Sequence, residues 1–142
     1  MVDKEYISIN MIYFGQAFIY LLGGTVLFLL RGAMGIPVAS DSISIIWLFG
    51  FVASMIFGIT NIMVPSYARR TPFKVSAIKA EIVLLNIAII SLGVAMNVHE
   101  LRMLFAPAVI ILLLSILIHT YDLLTVRRRP VSSMETQKAS NP

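Results

Sequence analysis

Four long apolar runs separated by short polar breaks dominate the chain, and this pattern predicts its architecture. The runs cover Ile7–Leu30, Ile43–Pro65, Val75–Met96 and Leu101–Val126. Each matches the roughly 20 helical residues that cross a ~30 Å hydrocarbon core. In lipid every backbone donor and acceptor must be satisfied within its own element, so spans of this length are helices. The two-residue alternation of a membrane strand is absent. The predicted fold class is all-α, an integral membrane four-helix bundle, with residues 1–126 as the four-helix domain. Residues 127–142, polar beyond an arginine triplet, are expected to form a basic, disordered cytoplasmic tail.

Small residues recur inside the second run. Gly50, Ser54 and Gly58 are spaced four apart, with Asn61 close behind. On a helix they form a strip that lets another helix approach closely, and in lipid such packing replaces the hydrophobic effect as the driving force. The expected neighbour is the first helix, with Asn61 adding a hydrogen bond. Pro65 closes the run and is expected to end or bend the helix.

Elsewhere, Gly15, Gly23 and Gly24 mark the first run as a packing helix, with Gln16 its clear polar side chain. Asp41 and Ser42 offer an N-cap for the second helix. Lys79 and Glu81 fall in the first turns of the third, where both are expected to snorkel towards the interface. Asn86 lies about mid-helix. Only residues 97–100 separate the third and fourth runs, which must therefore form an antiparallel hairpin. Pro107 is expected to kink the fourth helix.

Composition agrees with the pattern: 58% of residues are hydrophobic and 13% charged. The absence of cysteine excludes disulfides, thiolate metal sites and a cysteine nucleophile. The first run is not read as a signal peptide, because Met1–Glu5 is not net positive and no small-x-small cleavage site follows. Charge then orients the spans. Lys4, Arg69, Arg70, Lys74, Lys79, Arg127, Arg128, Arg129 and Lys138 share one side, and only Arg31 and Arg102 lie on the other. Nine against two predicts a plasma-membrane protein with both termini cytoplasmic. The same cations would meet anionic lipid headgroups, and no nucleic-acid partner is expected.

His119 and Asp122 are the candidate site residues. They lie three apart on one helix face, and an ionisable side chain within a span is a functional hypothesis by default. The pair could hold a proton, orient an imidazole towards haem, or bind a quinone headgroup. The alternative is a helix-end pair, with the imidazole at the negative helix terminus. His99, in the outer loop, lies about 30 Å along the helix axis from His119, so the two cannot share a metal within one chain. No metal site is predicted, and the methionines read as packing residues. Phosphate-loop, nucleophile-elbow and dinucleotide motifs are absent.

The segment from Phe49 to Arg70, with Gly50, Gly58, Pro65 and Arg69-Arg70, resembles a helix of haem-copper oxidase-like and NnrS-type membrane haem proteins. The resemblance covers this one helix and implies a reduced relative of such an enzyme, or a subunit beside one. Those helices carry a histidine; here the region has Asn61, so no haem ligand is carried over. The function expected is a non-catalytic accessory subunit of a multi-subunit membrane oxidoreductase, of respiratory oxidase or membrane monooxygenase type. Its partners would be other membrane subunits, and it is not expected to be an enzyme on its own. A haem- or quinone-binding redox protein is the alternative, and a small dimeric transporter the third reading.

Overall fold

The structure is a computed structural model of the chain and describes residues 4–67 and 73–125. Four helices are long and apolar enough to cross a membrane. They are α1 (Lys4–Met34), α2 (Ser40–Tyr67), α3 (Val75–Asn97) and α4 (Phe105–Thr125), the last entered through a 3₁₀ turn at His99–Leu104. No strand occurs among the described residues. This all-helical bundle fits a multi-pass membrane protein. The predicted tail at 127–142 and the basic Arg69-Arg70 lie outside the described residues.

α3 packs along α4, α1 packs along α2, and α3 joins the two pairs by touching α1 and the first half of α2. Tyr13, Ile78, Leu85 and Ile89 fill the shared core. Ile19 and Leu22 of α1, Ile90 of α3 and Leu117 of α4 point outwards. Such faces suit hydrocarbon and would be a liability in water.

The four-residue spacing on α2 acquires a geometric reason. In a regular α-helix each step of four overshoots a full turn by about 40°. Residues Ile46–Ala53 instead wind as a π-helix, whose i→i+5 bonding fits more residues into each turn. The overshoot is absorbed, and Gly50 and Gly58 both meet α1. A Cβ on Gly50 would lie 2.5 Å from Cγ of Tyr20, and one on Gly58 would lie 3.0 Å from Cβ of Tyr13. Among the first helix's glycines only Gly24 fills such a role, against Trp47; Gly15 and Gly23 face open space.

Several local expectations are corrected. α2 does not end at Pro65 but runs on to Tyr67. Proline removes the N–H that would bond the carbonyl four residues back, which is that of Asn61. The Tyr6 hydroxyl donates to that carbonyl instead, so no acceptor is left bare. Pro107 sits in the first turn of α4, where backbone N–H groups have no intrahelical partner anyway, so it is tolerated. Asp41 and Ser42 do not cap α2; its N-cap is Ala39, without a side-chain cap bond. The Ala39 N–H donates to Oδ1 of Asn97 at 2.9 Å, and Nδ2 of Asn97 donates to the Ser42 hydroxyl at 2.7 Å. These bonds tie the start of α2 to the end of α3. Gly35, at φ 65°, makes the left-handed turn after α1 that glycine adopts without strain.

Gly50→Leu should therefore force Tyr20 aside and lower stability by about 1–3 kcal/mol. Gly15→Leu, with nothing near its position, should leave stability unchanged. Unfolding in mixed detergent and SDS measures both.

Candidate functional site

One face of α1 carries Tyr6, Asn10, Tyr13, Gln16 and Tyr20, at steps of three and four residues. These steps keep them on one side of a helix, and that side faces α2 and α3. The stripe spans about 21 Å along the helix axis. Each member finds a partner across an interface or along its own helix, so a ladder of polar groups passes through the apolar bundle.

At the centre of the ladder is Glu81. It does not snorkel to the interface as expected. Its side chain turns inwards and the residue is 1% exposed, whereas its neighbour Lys79 faces out and pairs with exposed Glu5 at 3.1 Å. Two residues apart on a helix, the two side chains leave on different faces. The Tyr13 hydroxyl donates to Oε2 of Glu81 at 2.8 Å, and Nδ1 of His119 stands 3.2 Å from the same oxygen. On the far side of the imidazole, Nε2 is 2.9 Å from the Thr60 hydroxyl. The Phe57 ring stacks flat on His119, 3.9 Å between centroids and 8° between planes. Ser115 donates to the Glu81 backbone carbonyl at 3.3 Å. All four helices thus contribute: Tyr13 from α1, Phe57 and Thr60 from α2, Glu81 from α3, Ser115 and His119 from α4.

Magnitudes indicate why every contact counts. An acidic group at a helix centre costs about 3 kcal/mol to insert in a membrane. Hydrogen bonds to a charged group return about 1.5–3 kcal/mol each. Two such bonds, from Tyr13 and His119, are enough to hold the carboxylate inside; one is marginal.

A second polar layer lies one turn further along α1. Gln16 donates to the Ser54 hydroxyl at 2.8 Å, Asn86 donates to Oε1 of Gln16 at 2.8 Å, and the Tyr20 hydroxyl donates to Asn86. Beyond it, an apolar cavity of about 420 Å³ opens beside Tyr20, lined also by Leu27, Ile46 and Ile89. At the other end of the ladder Asn10 donates to the Tyr6 carbonyl at 2.8 Å. There Oδ1 of Asn10 and Nδ2 of Asn61 are buried without a partner.

The residues singled out by sequence fall as follows. His119 is buried and binds Glu81 of α3, not Asp122. Asp122 is half-buried one turn along, with Oδ2 enclosed and unpartnered. Gly50, Ser54, Gly58 and Asn61 all lie against α1; Ser54 accepts from Gln16, and Asn61 offers its backbone carbonyl to Tyr6 rather than its side chain. Sequence reasoning did not select Glu81, Tyr13 or Thr60 for the site. The signal for Tyr13 was present in the helical spacing of the α1 stripe. Glu81 stood out only as one polar residue among Asn61, Asn86 and Gln16 within the spans, because which face of α3 meets α1 is a tertiary fact.

The arrangement does not fit haem ligation by His119. Its Nδ1 faces Glu81, its Nε2 faces Thr60, and Phe57 covers one ring face, so neither nitrogen is free for an axial bond. Among the described residues no three His, Cys, Asp or Glu side chains converge as a metal site would need. Comparison with protein-family models, curated proteins and solved structures finds no match.

Removing one partner of a buried hydrogen-bonded pair strands the other, so His119→Leu should destabilise the bundle by about 3 kcal/mol. The double variant Glu81→Leu/His119→Leu should recover most of that loss, because apolar replacement of both partners is often neutral. A double-mutant cycle on SDS unfolding measures the difference.

Proposed function

We propose that this chain is an integral membrane protein whose Glu81–His119 pair takes up and releases a proton inside the membrane. One observation carries the reading: a carboxyl group 1% exposed and an imidazole, from different helices, face each other at 3.2 Å in an apolar bundle. Buried ionisable groups in spans mark proton relays and coupling sites more than they mark simple packing. A carboxyl group and an imidazole at hydrogen-bond distance can hold a proton between them. The role proposed for the site is as an accessory subunit of a membrane oxidoreductase, in which the pair would supply or buffer protons for a partner that consumes them. The short breaks between spans and the outward-facing apolar side chains support assembly with other membrane subunits.

We also propose a plasma-membrane location with both termini in the cytoplasm, on the strength of nine cations against two. The chain has no cysteine, so single introduced thiols report topology without background. His99→Cys should react with an impermeant maleimide from outside the cell, and Tyr67→Cys should react only after permeabilisation; the reverse pattern would refute the orientation.

The proton site is tested by infrared difference spectroscopy of the protein in lipid across a pH titration. The carboxyl bands of Glu81 should shift with pH as the charge on its imidazole partner changes, and that shift should vanish in Glu81→Gln. A pH-independent spectrum, identical in Glu81→Gln, would sink the reading. Purification in mild detergent tests the subunit role, since co-purifying membrane chains are expected.

A further inference from the structure

The hydrogens around the Glu81–His119 pair can be counted, and the count turns on Thr60. This inference rests on the proton site proposed above and specifies how the site changes state. The Thr60 hydroxyl has one hydrogen and three acceptors within reach: the Ile56 carbonyl at 2.8 Å, the Phe57 carbonyl at 3.2 Å and Nε2 of His119 at 2.9 Å. The carbonyls can only accept. If the hydroxyl turns to Nε2, that nitrogen carries no hydrogen. If it turns to a carbonyl, its oxygen is free to accept, and Nε2 must carry the hydrogen between them.

On the other side of the ring, with Oε1 of Glu81 bare, the count is fixed. Tyr13 has one hydrogen and gives it to Oε2 of Glu81. A second hydrogen must lie between Oε2 and Nδ1 of His119, because two bare acceptors at 3.2 Å would repel. With Thr60 turned to the ring, the pair therefore holds one hydrogen and a net charge of −1. With Thr60 turned to its own helix, Nε2 holds one more and the pair is neutral. The two states differ by one proton, bound as a new N–H bond at Nε2, and by a rotation about one C–O bond. No buried group loses its partner in either.

We propose that the Thr60 hydroxyl is the positioning group that lets this pair gain and lose a proton without stranding a buried donor or acceptor. The Phe57 ring lies flat on the imidazole, and its face favours the cationic form. The titratable and charged groups around the pair are Tyr13 and Tyr6 on α1, Asp122 further along α4 and Lys74 ahead of α3. α2 brings Thr60 and Phe57, neither of which titrates.

Nitrogen-15 NMR of histidine-labelled protein in lipid reads Nε2 directly. The chain has two histidines, so the test is made in a His99→Gln background, where His119 gives the one imidazole signal. Thr60→Val keeps the shape but removes both donor and acceptor. The charged N–H loses more by this than the bare nitrogen does, so proton binding should weaken about tenfold and the midpoint fall by about one pH unit. Thr60→Ser should titrate like the parent. A Thr60→Val midpoint equal to the parent's, or a Thr60→Ser shift as large as valine's, overturns the assignment to Thr60 while leaving the proton site standing. A parent protein whose His119 keeps one protonation state at every pH overturns the proton site itself, and this inference with it.

Discussion

Hydrocarbon offers no hydrogen bonds, and that constraint governs the interior of this bundle. Each polar group inside a span must find its partner in the protein or carry the full cost of being bare. Glu81 raises the stakes because its partners come from other helices. Tyr13 and His119 reach it from opposite sides, and each in turn depends on the helix that presents it. The helices are held at the distances that these bonds require by glycines at close approach: Gly58 beside Tyr13, Gly50 beside Tyr20. Packing and polarity are therefore one design on the α1–α2 interface. The small residues of α2 make room for the aromatic rings of α1, whose hydroxyls then reach past α2 to α3.

The same logic explains two features of α2 that would otherwise look like defects. A π-helical stretch wastes ideal geometry, yet it keeps a four-residue repeat in line with its neighbour. A proline near the end deprives a carbonyl of its donor, yet that carbonyl is the one Tyr6 needs. Irregular backbone in a membrane helix is tolerated where a neighbouring helix satisfies what it exposes. α1 does so here, which makes it the organising partner of α2 at three levels along its length.

How much of this was legible follows from the kind of signal each feature leaves. Span number depends on the length of apolar runs, a local property, and four runs became four helices. The strip at Gly50, Ser54 and Gly58 was visible because glycine spacing is unusual whatever the context. The α1 stripe was visible in principle, since Tyr6, Asn10, Tyr13, Gln16 and Tyr20 follow helical steps, but tyrosine at a membrane interface has an ordinary explanation. Glu81 was legible as a polar residue of the third span but not as the centre of the ladder. Two residues from Lys79 and a turn and a half into its helix, it has the sequence context of a snorkelling side chain. Only the contact of α3 with α1 and α4 distinguishes the two fates. For His119 the i,i+3 spacing pointed to Asp122 as neighbour, whereas its partner in the structure is Glu81, 38 residues away.

That substitution of partner alters the chemistry available. A histidine paired with an acid on its own helix near the interface is braced in one state, whichever way the rest of the bundle moves. A histidine paired across helices is coupled to their separation: at 3.2 Å from Glu81 and 2.9 Å from Thr60, it senses α3 on one nitrogen and α2 on the other. Any shift of α4 relative to either changes how well a proton is held, and by linkage any change of proton occupancy favours one helix arrangement over another. α4 packs on α3 and has no comparable packing against α1 or α2 among the described residues. The imidazole is its principal polar link to α2, and the stacking of Phe57 makes that link selective for ring orientation. On the function proposed, a proton at this position would be a structural element as much as a charge.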